Sequence, residues 1–302
     1  MAAVTGPLIG WLLFAALVTG LGGLAGRFLV VPRVVDVPDD VAEWLKRASA
    51  RQAALGGLLL PVALGLVFYR QLSEFRDPFV PWTEDAELLL TVTPWGTTWM
   101  WGAGASVVAA VGLAVGALGA WCGWLLGGAA VLALSAFPAF TGHASASGPL
   151  RPLTLTADTL HVLAAGGWVG TLVFVLQAER GWRRRSGAAA HSLLPLLVPR
   201  FSPVAIACVA TLVVTGLTAS WVHLPSVGAL VSSNYGRVLS LKLILVAGAA
   251  GLGFVNWKEL TPRLEEPAGQ DSLRGSATVE LLVAHVVLLV TAILVVTPPP
   301  EG

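Results

Sequence analysis

Eight long apolar stretches, separated by short polar segments, dominate the pattern of hydrophobic and polar positions along the chain. A helix needs roughly 20 apolar residues to cross the hydrocarbon core of a bilayer, and each stretch is of that length. Apolar and polar residues do not alternate within them, so the pattern excludes the strands of a membrane β-barrel. The predicted spans are residues 7–26, 52–70, 96–118, 121–140, 158–178, 202–222, 237–257 and 277–297.

Composition supports a chain that uses the lipid bilayer as part of its solvent. The chain is 56% hydrophobic and only 12% charged, whereas about a quarter of the residues in a soluble domain are charged. Its 34 glycines suit close helix packing in lipid. The net charge of +1 gives no reason to expect a nucleic-acid partner. We therefore predict an all-α polytopic membrane protein, whose first span lacks the basic start and cleavage site of a removed signal peptide.

Basic residues predict the orientation of these spans. Only Arg70, Arg76, Arg151 and Arg237 lie in the loops on one side. The segments on the other side, after the first, third, fifth and seventh spans, carry Arg27, Arg33, Lys46, Arg47, Arg51, Arg180, Arg183, Arg184, Arg185, Arg200, Lys258, Arg263 and Arg274. Because lysine and arginine are concentrated in cytoplasmic loops, both termini are expected on the periplasmic side.

The chain is predicted to form one integral membrane domain with two halves of four spans, residues 1–140 and 141–302. The acidic outer loop 71–95 contains an amphipathic stretch, which predicts a short interfacial helix or a weak attractor of cations. The third span opens with Thr93-Pro94-Trp95-Gly96 and the seventh with Ser233-Asn234-Tyr235-Gly236. Because an offset of four spans preserves orientation, these turns suggest a weak parallel repeat of four plus four helices.

Histidines gather near the outer ends of the predicted spans. His143 follows the fourth span, His161 lies three residues after Asp158 at the start of the fifth, and His223 ends the sixth. Imidazole binds copper, zinc and iron, so the ligand type leaves the metal open. We predict a metal site built from His143 and His161, with His223, Asp158 and Met100 as auxiliary ligands. Structural roles stay open for each, among them an N-cap for Asp158 and packing for Met100.

Three ionisable residues lie deeper in the predicted spans: Lys242, Glu280 and His285. Such residues are costly in a bilayer and mark candidate ion pathways or structural pairs. Glu280 is expected to pair with Arg274 across the start of its helix. His285, near the midplane, is expected either to serve a proton or metal path or to hydrogen-bond a neighbouring helix.

Haem is the alternative cofactor. A bis-histidine haem needs two histidines at matching depth, and the predicted boundaries place His161 about 5 Å and His285 about 18 Å below the outer face at 1.5 Å per residue. That difference disfavours this pair. A haem held near the surface by His143, His161 and His223 remains possible.

Several short segments, taken in order over residues 140–300, carry a family resemblance. They are Gly142-His143-Ala144; Asp158 and His161 with Trp168-Val169-Gly170; Arg200-Phe201-Ser202 with Val214-Thr215-Gly216; Tyr235-Gly236-Arg237 with Lys242; and Glu280 before Thr297-Pro298-Pro299. In these segments the chain resembles the CopD (PcoD) family of inner-membrane copper resistance and uptake proteins.

The resemblance implies copper handling at a bacterial inner membrane, alongside a separate periplasmic copper chaperone of the CopC type. We therefore expect a transporter rather than an enzyme, which imports, conducts or loads copper through the site at His143 and His161. Two alternatives remain: a haem-binding subunit in electron transfer, and an assembly factor that delivers copper to a cuproenzyme.

Overall fold

The computed structural model describes residues 2–142, 147–187 and 191–300, and all regular structure within these ranges is helical. Eight helices in them are long and apolar enough to cross a membrane, as the hydropathy pattern predicted. In chain order they are α1 Thr5–Arg33, α2 Asp39–Phe75, α3 Pro94–Ala117, α4 Trp121–Thr141, α5 Gly148–Ser186, α6 Leu194–His223, α7 Asn234–Arg263 and α8 Pro267–Val296. Shorter helices, Trp82–Val92 and Ala229–Ser232, precede α3 and α7.

Consecutive spans run in opposite directions, so the two ends of the bundle carry different residues. One end, which we call the termini face, carries the start of α1 and the end of α8. The other end, the arginine face, carries Arg33, Arg184 and Arg263. The two names refer to the ends of the bundle and do not say which side of the membrane either end faces.

Helix α1 is the centre of the bundle. Its Ala16 and Leu17 are completely buried, and its residues belong to two hydrophobic clusters. One cluster joins α1 to α2, α3 and α4, and the other joins α1 mainly to α5, α6 and α8. The two predicted halves of the chain therefore pack on opposite sides of one shared helix.

Glycine allows α1 to approach both of its main neighbours at backbone distance. A Cβ on Gly22 would overlap the backbone of Gly170 in α5, and one on Gly56 in α2 would overlap the backbone of Gly20. Small residues at such crossings let helices pack closely where no hydrophobic force drives them together. Gln52 adds a polar link, because its buried amide donates to the Gly170 carbonyl at 2.8 Å. The α1–α2–α5 contact is thus fixed by backbone proximity and one buried hydrogen bond.

Three segments of the spans are π-helical: Gly26–Val30 in α1, Gly166–Gly170 in α5 and Asn256–Leu260 in α7. A π-helical turn accommodates one extra residue and changes the direction of the side chains around it, and such turns are frequent at functional sites. The turn in α5 contacts α1 closely, through Gly166 beside Leu21 and through Gly170 beside Gly22.

The predicted span boundaries were wrong where helices extend beyond the apolar run. Helix α2 begins 13 residues before the predicted 52. The α-helical part of α5 begins at Arg151 with Pro152 in its first turn, where proline fits because its missing N–H needs no partner. Asp158 is therefore seven residues inside the helix, and the prediction that it caps the helix was wrong. A short helix, Trp82–Val92, is present in the loop between α2 and α3, and its predicted place at the membrane interface stays a prediction.

The turns that open α3 and α7 have the same hydrogen bonds. Thr93 Oγ1 accepts from Gly96 N at 2.9 Å, and Ser233 Oγ accepts from Gly236 N at 2.9 Å. Each hydroxyl also donates to the carbonyl four residues earlier, at 2.6 Å and 2.7 Å. The two turns thus agree with the predicted repeat at these positions. For the rest of the two halves, the repeat stays a prediction.

We predict that Gly170→Ala destabilises the protein, because the added methyl group would overlap the Val18 carbonyl and the backbone of Gly22. Overpacking a close contact costs about 1–3 kcal/mol, and a backbone clash lies at the upper end of that range. Thermal unfolding in detergent should show a lower midpoint. The matched control is Gly251→Ala in α7, where an added Cβ meets nothing within 4 Å. Equal midpoints for the two variants would contradict the close contact.

Candidate metal site and buried carboxylate

His161 lies well inside the bundle rather than at its rim. It is ten residues into the α-helix that begins at Arg151, which corresponds to a depth of about 15 Å at 1.5 Å per residue. The predicted depth of about one turn was wrong, because the helix begins earlier than the apolar run. The imidazole is half-buried, and its Cε1 atom lies beside Gly216 of α6.

A chain of hydrogen bonds holds the His161 ring. Its Nδ1 lies 2.9 Å from Thr215 Oγ1, and that hydroxyl lies 2.7 Å from the carbonyl oxygen of Thr211. The single hydroxyl proton of Thr215 goes to the carbonyl, so the hydroxyl accepts from Nδ1–H of the imidazole. Nε2 of His161 therefore carries a lone pair. Histidines that bind metals have this arrangement, in which one ring nitrogen donates to a protein oxygen and the other is the ligand.

Charged and polar groups from three helices lie around this imidazole. Lys242 of α7 is close enough to interact electrostatically with both His161 and Asp158, and Asp158 also interacts with Tyr235. Asp158 precedes His161 by three residues, so the two share a face of α5. Tyr235 and Thr215 are buried, and the other three side chains are half-buried. Sequence reasoning had placed Asp158 and His161 in one site and Lys242 in a separate group, and the structure brings Lys242 close to both.

The other predicted ligands lie elsewhere. His143 falls outside the residues that the structure describes. His223 is the last residue of α6, eight residues beyond Thr215 and therefore about 12 Å closer to the termini face. Met100 lies on α3, where its side chain is 46% exposed on the outside of the bundle. The described part of the chain thus joins neither His223 nor Met100 to His161.

Glu280 is the centre of a second polar group, and its predicted pairing with Arg274 was wrong. Its carboxylate accepts from Trp168 Nε1 at 3.1 Å and from Asn256 Nδ2 at 2.8 Å. Residues six apart in a helix lie on different faces, so Arg274 turns away from Glu280. Both hydrogen-bond donors lie in π-helical turns, Trp168 in that of α5 and Asn256 in that of α7.

Arg274 instead binds Glu179, a completely buried residue of α5 that sequence reasoning missed. The guanidinium lies 3.0 Å from Oε1 of Glu179, and the backbone N–H of Leu193 donates to Oε2 at 2.7 Å. This ion pair ties α8 to α5 and to the start of α6 near the arginine face. The sequence gives one indication of this ion pair: Glu179 is an acidic residue next to Arg180 at the end of an apolar run.

His285 is anchored to its own helix, because its Nδ1 lies 2.9 Å from the Leu281 carbonyl oxygen. A carbonyl only accepts, so Nδ1 carries the proton and Nε2 has the lone pair. His285 is 11 residues from the end of α8 at Val296, or about 17 Å. That depth is close to the depth of His161, so the predicted depth difference between the two histidines was wrong.

The geometry offers one well-oriented imidazole with a neighbouring carboxylate. Among the described residues, no three histidine, cysteine or acidic side chains lie close enough together to hold a metal ion. Structural metal sites use about four ligands, whereas a transported ion needs sites that it can leave.

Comparisons with known proteins agree on one family. Residues 195–294 match the family model described as "Copper resistance protein D". The chain is 31% identical over 252 residues to the "Copper resistance protein D" of Pseudomonas syringae pv. tomato, which covers 78% of each chain. It is 28% identical over 165 residues to the "Copper transport protein CutJ" of Bacillus subtilis (strain 168), which covers 54% of this chain and 29% of that one. No solved structure matches. The chain is a multi-pass membrane protein with a copper-related role, and it belongs to the copper resistance protein D (CopD) family.

Proposed function

We propose that this protein carries copper across a bacterial inner membrane, and that His161 is the ligand that receives the ion inside the bundle. The observation that carries the proposal is the hydrogen bond from His161 Nδ1 to Thr215, which leaves Nε2 as an oriented ligand. Imidazole is a good ligand for copper. The names of the two relatives, copper resistance and copper transport, support the choice of metal.

Asp158 and Lys242 would control how tightly the ion is held. The Asp158 carboxylate lies one turn closer to the termini face than His161, so an ion from that face meets it first. Lys242 provides a positive charge near both residues. An arriving cation competes with Lys242 for the carboxylate and is repelled by the ammonium group, so binding is weak enough to allow release.

The direction from which His161 is loaded follows from the basic residues. Lysine and arginine mark the cytoplasmic side, and the arginine face carries the Arg183-Arg184-Arg185 run. The termini face is then periplasmic. His161 would take copper from that side, the side on which α6 ends at His223 and to which a separate CopC-type chaperone would deliver the ion.

We predict that His161→Ala lowers the copper retained by the purified protein at least about tenfold, because the variant loses the oriented ligand. Equilibrium dialysis against a fixed copper concentration, followed by elemental analysis, measures the bound copper without removing the free ion. His191→Ala is the matched control, since this exposed histidine lies near the arginine face, far from His161. The His143→Ala, His161→Ala double variant reports whether residue 143 adds to binding.

Copper retention in His161→Ala equal to that of the wild type would contradict the assignment. Cellular copper content, measured with and without the protein, then separates transport from delivery of copper to another protein. A carrier that imports copper changes cytoplasmic copper, whereas an assembly factor for a secreted cuproenzyme leaves it unchanged.

Thr215→Val should weaken copper binding by roughly 10-fold to 100-fold, because it removes the acceptor that fixes the ring of His161 while it keeps the shape of the side chain. A copper titration of the folded variant measures this change. Thr218→Val on the same helix is the control, since its hydroxyl bonds only its own helix in an exposed position. Equal affinities for Thr215→Val and the wild type would show that the ring needs no such partner.

One observation favours a haem as the second candidate. His161 and His285 lie at similar depths, each with Nδ1 engaged and Nε2 carrying the lone pair. Two such nitrogens are what a bis-histidine haem requires. If this candidate is correct, the purified protein will show a Soret band that is lost in His161→Ala and in His285→Ala. The copper proposal predicts no Soret band.

A further inference from the structure

A cavity of about 460 Å³ lies between α6 and α7, with α5 and α8 behind it. Ligand pockets in proteins commonly have volumes of about 300–1,000 Å³, so the cavity is large enough for a small organic molecule. It lies toward the arginine face, away from His161. Neither the copper proposal nor the haem candidate uses it.

The inner end of this cavity presents two hydrogen-bond acceptors. Glu280 lines the cavity. Its carboxylate oxygens accept hydrogen bonds from two N–H groups and have further lone pairs that can accept more. Asn256 also lines it, is only 8% exposed, and its Oδ1 atom has no hydrogen-bond partner. A buried amide oxygen without a partner is unfavourable, because it has lost its hydrogen bonds to water and gained none in the protein. A ligand that donates hydrogen bonds would remove that cost.

Glycine keeps the carboxylate open to the cavity. A Cβ on Gly253, which also lines the cavity, would lie 3.3 Å from Glu280 Oε1. That distance is tighter than an ordinary van der Waals contact, so a larger residue there would cover the carboxylate. The small residue therefore leaves space directly in front of an acceptor.

Four aromatic rings line the same space, from Trp168, Phe201, Phe254 and Trp257. The cavity also reaches the outside of the bundle, because three lining residues, Ile206, Phe254 and Trp257, are about half exposed. In a membrane-spanning segment, that outer surface faces lipid. Aromatic walls favour a flat ring, and the opening admits molecules dissolved in the bilayer.

We propose that this cavity binds a membrane-dissolved aromatic molecule with hydroxyl groups on its ring and an apolar tail, that is, a molecule of the quinol class. One hydroxyl donates to the Glu280 carboxylate or to Asn256 Oδ1 at the inner end. The ring packs among the four aromatic side chains, and the tail leaves between α6 and α7 into the bilayer.

Two other occupants fit the lining less well. An acyl chain would match the apolar walls, but it would leave the Asn256 oxygen without a donor. A copper ion would meet only oxygen ligands in a cavity open to hydrocarbon, where an unshielded charge is strongly disfavoured. The two acceptors therefore select a neutral molecule that brings its own O–H groups.

The test compares a short-tailed quinol with the corresponding quinone. Decylubiquinol and decylubiquinone share ring and tail, but only the quinol can donate hydrogen bonds. Titration calorimetry of the full-length protein in detergent, without oxygen for the quinol, should give at least about tenfold tighter binding for the quinol, because only the quinol brings O–H groups to the buried acceptors. Glu280→Gln should reduce this preference, whereas Glu265→Gln, an exposed acid outside the cavity, should leave it unchanged.

Equal affinities for quinol and quinone, or absence of binding by both, would overturn the proposal. So would a preference for the quinol that is undiminished both in folded Glu280→Gln and in folded Asn256→Leu, since each variant changes one of the two acceptors. The comparison on the wild type needs no variant, so it decides the question even if Glu280→Gln fails to fold. If phospholipid and quinol displace the occupant of the cavity equally well, the cavity is an acyl-chain site and the proposal is wrong.

Discussion

The contact between α1 and the π-helical turn of α5 is the constraint on which the other features depend. Gly22 and Gly170 allow the two backbones to meet, and Gln52 of α2 fixes the turn by donating to the Gly170 carbonyl. The same turn contains Trp168, and the α-helix before it contains His161. Any shift of α5 along α1 would therefore move both polar groups of the molecule at once.

The two polar groups differ in chemistry because their ligand atoms differ. At His161, one ring nitrogen with a lone pair lies near a carboxylate and a lysine, which suits a soft or borderline metal ion. At Glu280, oxygen acceptors at the end of an aromatic cavity suit a neutral donor. His161 and Trp168 are seven residues apart, about 10 Å along the helix. We infer that one helix supports a metal site toward the termini face and a ligand site toward the arginine face.

The need to satisfy buried polar groups explains why these side chains lie where they do. An unpaired polar group in hydrocarbon costs several kcal/mol. Glu179 meets this requirement with Arg274 and a backbone N–H, Glu280 with Trp168 and Asn256, and His161 with Thr215. Among the described residues, three buried side-chain oxygens lack a partner: Gln52 Oε1, Thr171 Oγ1 and Asn256 Oδ1. Of these three residues, Asn256 is the one that lines the cavity, which is the reason to place a ligand beside it.

The hydropathy pattern predicted the eight spans because lipid thickness sets both the length and the apolar character of a crossing helix. It misplaced the start of α5, because the first turns of that helix contain Arg151 and two threonines, Thr154 and Thr156, and lie outside the apolar run. That error moved His161 toward the surface and made Asp158 a predicted cap. A boundary error of one or two turns thus changed the predicted chemistry of the site.

The partners of the buried acids could not be predicted from one sequence. Glu280 bonds Trp168, 112 residues away, and Arg274 bonds Glu179, 95 residues away. Proximity along the chain suggested Arg274 for Glu280, but helical geometry places residues six apart on different faces. The π-helical turns that supply both donors to Glu280 have no sequence signal that we recognise. In contrast, Asp158, His161 and Lys242 were identified as candidates because ionisable residues are rare in apolar spans.

X-ray absorption at the copper edge of the loaded, purified protein tests the central claim most directly, since it reports the atoms bound to the metal. If Nε2 of His161 receives the ion, the wild-type spectrum will contain the scattering pattern of a bound imidazole at about 2 Å, and that pattern will be lost or clearly reduced in His161→Ala. An unchanged imidazole pattern in the variant, or a wild-type spectrum without one, would contradict it.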